Sequence, residues 1–183
     1  MADKRLRIVT DSTCNLPKTL VERYALTLVP VLVIFGQESY REGVDITLPD
    51  FYRRVERTGE VPSASQPSPG AFAEVYGRLA QGGSQILSIH LTGKLSGVLA
   101  SARLAAEMTP QADVQIFDSL SCSIGLGFCV LEAARMAEEG AGRVEIIKRL
   151  EQVRDRLNIF LTPATLRYLQ NSGRVGRLQC PGP

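Results

Sequence analysis

The chain has 183 residues, 44% of them hydrophobic, enough for one large domain or one domain plus a fragment of another, and too apolar for a disordered segment. With 21 basic and 19 acidic residues the net charge is +2, and there is no Trp, so neither the electrostatic footprint nor a Trp stacking surface of a nucleic-acid binder is present. The longest apolar run, residues 28–35, is too short to span a bilayer, and the opening M-A-D-K-R-L-R-I-V lacks a secretory stretch, so a soluble, cytoplasmic protein is expected.

In chain order, residues 6–10 predict a strand ending in Asp11-Ser12-Thr13. Residues 17–25 predict a short helix with Asn15 as its N-cap, and the β-branched run 27–35 a second strand. Residues 36–45 read as a polar turn and 48–57 as a helix. Residues 62–70, P-S-A-S-Q-P-S-P-G, hold three prolines that exclude a helix interior or central strand, and three serines plus Gln66 that give short hydrogen-bonding groups. By composition this is a surface connection or a loop that holds a polar ligand group.

Phe72, Val75, Tyr76 and Leu79 then follow helical spacing, and residues 85–91 predict the third strand. Leu95, Val98, Leu99 and Ala102 predict a helix, residues 114–117 a fourth strand, and 121–139 an Ala-rich helix stopped by Gly140. Val144, Ile147, Leu150, Val153 and Leu157 predict another helix, followed by a short strand at 159–161 and a short helix at 163–170. The Pro/Gly-rich end of the chain suggests a truncated or altered terminus.

This alternation predicts an α/β fold with a largely parallel sheet flanked by helices. Ligands in such sheets sit at the carboxyl ends of the strands. Three strand ends carry hydroxyl-rich turns: Asp11-Ser12-Thr13, the run from Thr92 through Ser96 to Gly97, and Asp118-Ser119-Leu120-Ser121.

Familiar catalytic patterns fail. The first turn, D-S-T-C-N-L-P, lacks the glycines of a dinucleotide loop; Gly93-Lys94 is followed by Leu95, not the hydroxyl of a phosphate loop; and Ser96 is flanked by Lys94 and Val98 where a nucleophile elbow needs glycines. The four cysteines, Cys14, Cys122, Cys129 and Cys180, form no C-x-x-C pair, and with His90 the single histidine they are read as buried free thiols with no zinc site. His90, inside an apolar strand, reads as a satisfied core histidine, and Asp11 as a cap on its own turn. Many hydroxyls with few acid/base groups suit oxyanion binding better than chemistry. The enzyme alternative is a hydrolase or phosphotransferase using Ser96 or Asp11.

Six stretches taken together resemble the DegV family of bacterial fatty-acid-binding proteins: I-V-T-D-S-T-C-N-L-P (8–17), Y-R-E-G-V-D-I-T (40–47), P-S-A-S-Q-P-S-P-G-A-F (62–72), I-L-S-I-H-L-T-G-K-L-S-G (86–97), D-S-L-S-C-S-I-G-L-G (118–127) and L-Q-N-S-G-R-V-G (169–176). The resemblance implies a two-domain α/β protein that is not itself an enzyme and needs no cofactor. It implies one bound long-chain fatty acid, palmitate-like, in a tunnel, with its carboxylate presented to a separate fatty acid kinase whose acyl phosphate feeds phospholipid synthesis. Carried over, the headgroup contacts are Ser63, Ser65 and Ser96, with Thr92 nearby and Arg174 at the headgroup and kinase contact. Asp11, Ser12 and Ser119 stand at a further edge of the site.

Three departures follow. Ala64 replaces the family's usual threonine before Ser-Gln-Pro-Ser, Thr92-Gly93 replaces a pair of serines, and family members are longer. Residues 1–162 are therefore expected to form the N-terminal domain and 163–183 only the start of the second, which supplies a headgroup histidine in the family. This chain then holds one wall of the tunnel.

Overall fold

The computed structural model describes residues 6–163, 169–170 and 172–174. Its centre is a four-stranded parallel sheet of β1 (Leu6–Asp11), β2 (Thr27–Val29), β6 (Gln85–His90) and β7 (Asp113–Asp118), in the order β2-β1-β6-β7. Helices α1 (Lys18–Arg23), α3 (Pro69–Gln81), α4 (Val98–Met108), α5 (Ser123–Glu138) and α6 (Arg143–Arg156) surround it. The central strands β1 and β6 are buried on both faces, so they read as largely apolar runs. Phe72 and Tyr76 of α3 fill one face of the core, and Leu126, Cys129, Val130 and Ala133 of α5, backed by Ile146 and Leu150 of α6, fill the other.

The α/β expectation holds, with a second sheet added. Residues 27–35 are not one strand: Pro30, with no N–H to give a ladder, ends β2, and the chain restarts as β3 (Leu32–Phe35), the middle strand of an antiparallel sheet with β4 (Glu38–Arg41) on one side and β5 (Ser63–Ser65) on the other. Residues 36–45 are not simply a turn either. Gly36-Gln37 closes a two-residue hairpin, with Gly36 at φ +56°, and β4 (Glu38–Arg41) returns along β3. Residues 63–65 of the Pro/Ser stretch form β5 (Ser63–Ser65), an edge strand on the other side of β3. The prolines around it do exclude a central position, but not an edge.

Helix α2 (Leu48–Thr58) covers this small sheet, whose core is Val33, Phe35 and Ile46 with Tyr40, Phe51 and Val55. Ser12 ties the two sheets together: its hydroxyl accepts the Val31 N–H at 3.0 Å and donates to Glu42 Oε2 at 2.5 Å.

Smaller corrections concern element ends. Asn15 does not cap α1; it closes the 3-10 turn Ser12–Cys14 in the left-handed region at φ 52°, and Pro17 precedes the helix. Leu95 lies before α4, which begins at Val98. Residues 159–161 are not a strand: they pair with nothing in either sheet, and Phe160 is 93% exposed. Most of the helix expected at 163–170, and Cys180, lie outside the described residues.

Candidate functional site

The connection from β1 runs outward to β2, while that from β6 runs the other way to β7. The strand order therefore reverses between β1 and β6, and the crevice at their carboxyl ends is where an open α/β sheet takes a ligand. A cleft of about 350 Å³ opens there, lined by Thr13, Val31, Ala64, Ser65, Gln66, Leu91, Leu95, Ser96, Gly97, Cys122 and Arg174. It lies between the turns after β1 and β6, with β5 of the small sheet on the other side.

Local structure fixes each polar group. Ser65 stands opposite Leu32 on β5 and is half-buried. Ser68 caps α3, its hydroxyl accepting the Ala71 N–H at 3.2 Å, with Pro69 as first helical residue. Ser96 precedes α4 and its hydroxyl accepts the Val98 N–H at 3.3 Å, leaving its hydrogen for a ligand. Arg174 reaches across the cleft mouth, its Nε donating to the Leu95 carbonyl at 3.4 Å.

Of the residues expected at the site, Ser65, Ser96 and Arg174 line one cleft. The others do not. Ser63 is exposed on β5, opposite Ile34. Thr92 is buried, its hydroxyl accepting the Lys94 N–H at 3.3 Å. Ser119 is buried with its hydroxyl exchanging bonds with the Ser121 backbone, and Ser12 is spent on the sheet junction. Asp11 is fully buried and accepts from Thr13, His90 and Leu91.

Thr13, Gln66, Gly97 and Cys122 join the lining. Thr13 had a signal, a hydroxyl one turn past a strand end. Gln66, whose side-chain amide packs against Gly97, had none, because that meeting depends on β5 pairing with β3.

The geometry offers little to an enzyme. Ser96 has no imidazole or carboxylate bonded to it among the described residues. The serine that does meet an imidazole is Ser88, 2.7 Å from His90 Nε2, and both are sealed in the core. Burial pushes the Cys14 thiol up and the Cys129 thiol up to about 11, so both stay protonated. Among the described residues no cluster of side chains could hold a metal ion and no helix is long and apolar enough to cross a membrane.

A larger cavity of about 600 Å³ lies at the amino ends of the strands, with Arg7, Arg23, Tyr24 and Arg143 in its walls. None of the hydroxyl-rich turns reaches it. Arg143 there is already bound to the Ile86 and Asp113 carbonyls and the Asp113 carboxylate.

Comparison with known proteins identifies the family. The family model described as "Uncharacterised protein, DegV family" matches residues 5–181. A DegV domain-containing protein of Halalkalibacterium halodurans is 37% identical over 177 residues, 96% of this chain and 62% of that one. A Thermus thermophilus structure described as fatty acid binding of a DegV family protein is 38% identical, with TM-score 0.83 over 96% of this chain and 62% of that one. A stearic-acid-binding protein from Eubacterium ventriosum is 31% identical, with TM-score 0.85 over 96% and 62%. This chain thus spans about three fifths of the length of the relatives it matches. The chain belongs to the DegV family.

Proposed function

We propose that this chain binds a long-chain fatty acid, with the carboxylate held at the cleft between β1 and β6. The observation that carries the reading is the composition of that cleft. Ser65, Gln66, Ser96 and Arg174 bring hydroxyl, amide and guanidinium donors to one place, beside Val31, Leu91, Leu95 and Cys122. A buried carboxylate needs such donors, and burying an acyl chain contributes roughly 0.8 kcal/mol per methylene. Leu120, Ile124 and Phe128, at spacing four from the turn into α5, are each more than half exposed and extend the apolar surface next to Cys122. They suit one wall of an acyl tunnel whose other wall belongs to a second domain, with residues 1–162 as the first and 163–183 as the start of the second.

Ser96, Ser65 and Arg174 are the headgroup contacts in this reading. Ser63 and Thr92 serve at its border, where Ala64 leaves the cleft one hydroxyl short of the family pattern. Neutral hydroxyls hold a carboxylate without a fixed countercharge at every oxygen, which suits handing it to a separate fatty acid kinase for acyl phosphate formation. Relatives described as fatty-acid-binding support the ligand; the kinase partner and the cytoplasmic setting are inferences from the family resemblance.

Mass spectrometry of the denatured protein, purified from a lipid-replete host, tests the reading. Release of a stoichiometric long-chain fatty acid is expected, reduced by Ser96→Ala. Absence of any lipid contradicts it.

A further inference from the structure

Behind Thr13 four buried polar side chains run in a line away from the cleft. Thr13 donates its backbone N–H, at 3.1 Å, and its hydroxyl to Asp11 Oδ1. Asp11 Oδ2 lies 2.9 Å from His90 Nδ1 and 3.4 Å from the Leu91 N–H. His90 Nε2 is 2.7 Å from Ser88 Oγ, which is 2.8 Å from the Tyr76 hydroxyl. Asp11, His90, Ser88 and Tyr76 are all 0% exposed.

For a neutral imidazole, donor counting gives this chain one direction. The Asp11 carboxylate can only accept, so His90 Nδ1 carries a hydrogen towards it. Burial pushes the Tyr76 hydroxyl up to about 12, so it keeps its proton. In the neutral imidazole Nε2 is bare, and Ser88 donates to it while accepting from Tyr76. A polar line of this kind, sealed in a core, is less favourable than apolar packing of the same volume unless every member is satisfied. It ends at a residue of the cleft wall.

We infer that Asp11 and His90 are positioning residues of the cleft: through the buried line Tyr76–Ser88–His90–Asp11 they fix Thr13 on its wall, so that filling the cleft is registered at the His90 imidazole. The inference rests on the fatty-acid reading above. The Thr13 hydroxyl spends its hydrogen on Asp11 and shows the cleft only lone pairs. A ligand that moves Thr13 changes the bond to Asp11 Oδ1, and the opposite carboxylate oxygen carries that change to Nδ1.

His90 is the only histidine in the sequence, so its imidazole nitrogen signals are unambiguous in ¹⁵N-labelled protein. Calorimetry with stearate first establishes binding. Nitrogen NMR then reads the tautomer and its response. The free protein should show hydrogen on Nδ1 and none on Nε2, and both shifts should follow the calorimetric saturation curve. Thr13→Val, which puts a methyl group in place of the hydroxyl, should leave the imidazole unmoved on loading. Thr13→Ser should restore the response, and Asp11→Asn should reverse the tautomer. Stearate binding with silent His90 signals, a Thr13→Val protein that responds like the parent, or hydrogen on Nε2 in the free parent each overturn the inference while leaving the fatty-acid reading in place. Absence of stearate binding in the calorimeter removes that reading, and the inference falls with it.

Discussion

The Gln66 side-chain amide lies directly against Gly97: a β-carbon at position 97 would stand 3.0 Å from it. This contact joins the edge strand of the small sheet to the turn before α4, and so closes the cleft between the two sheets.

Replacing Gly97 therefore tests the cleft without attacking the fold. Its backbone, at φ −75° and ψ 0°, is ordinary for any residue. Gly97→Val should push the Gln66 amide aside and narrow the cleft. Fatty-acid affinity in the calorimeter should fall at least about fivefold, the worth of one hydrogen bond. The melting temperature should move by no more than about 2–4 °C, the shift that 1 kcal/mol causes in a domain of this size.

Cys122 lines the cleft, whereas Cys129 is sealed in the core with its thiol pushed up to about 11. Iodoacetamide followed by peptide mapping should label Cys122 well before Cys129. Saturating fatty acid should slow labelling of Cys122 and leave Cys129 unchanged.

Gly127 marks the tightest approach of α5 to the turn after β1. A β-carbon there would lie 2.7 Å from the Cys14 carbonyl oxygen and 3.2 Å from Leu16. Gly127→Ala gains about 1 kcal/mol of helix propensity but forces backbone apart. Overpacking of this kind costs roughly 1–3 kcal/mol, more where backbone must shift, so urea unfolding should show a net loss of stability.

Asp45 is gripped by Arg41 through two guanidinium bonds, at 2.8 and 2.9 Å, and by the Arg41 N–H at 2.9 Å. These bonds hold its carboxyl at about 2, below its ordinary 3.8. Because the folded value is the lower one, the stabilisation is complete above the ordinary value and is lost as pH falls through about 2. Arg41→Gln should reduce the stability measured above pH 3.8 and flatten its fall on acidification, in urea titrations at stepped pH.

The parallel sheet was legible because its strands are short apolar runs, three of the four ending in a hydroxyl-rich turn. The small sheet was not, for three physical reasons. Pro30 sits inside a run whose β-branched residues all favour a strand, so one run hides two strands of different sheets. Edge strands carry charge and little apolar alternation, and Glu38–Arg41 has Tyr40 as its only inward side chain. Ser63–Ser65 is three residues long and surrounded by prolines. Ser65 and Ser96 were legible as candidate ligand groups by chemistry and family likeness, and both line the cleft. Their meeting depends on β3 pairing with β5, a long-range contact with no local signature. Ser12, Thr92 and Ser119 look equally available in sequence, and only the fold shows the Ser12 and Ser119 hydroxyls already committed and Thr92 buried.

Photolabelling with a diazirine-bearing fatty acid, followed by peptide mapping, tests the central claim most directly. A diazirine near the carboxylate should label the peptides carrying Ser65–Gln66 and Leu95–Ser96, and one farther along the chain those carrying Cys122 and Phe128. Labelling confined to the cavity at the amino ends of the strands, or scattered over the surface and not displaced by unlabelled stearate, would contradict the assignment of the ligand to this cleft.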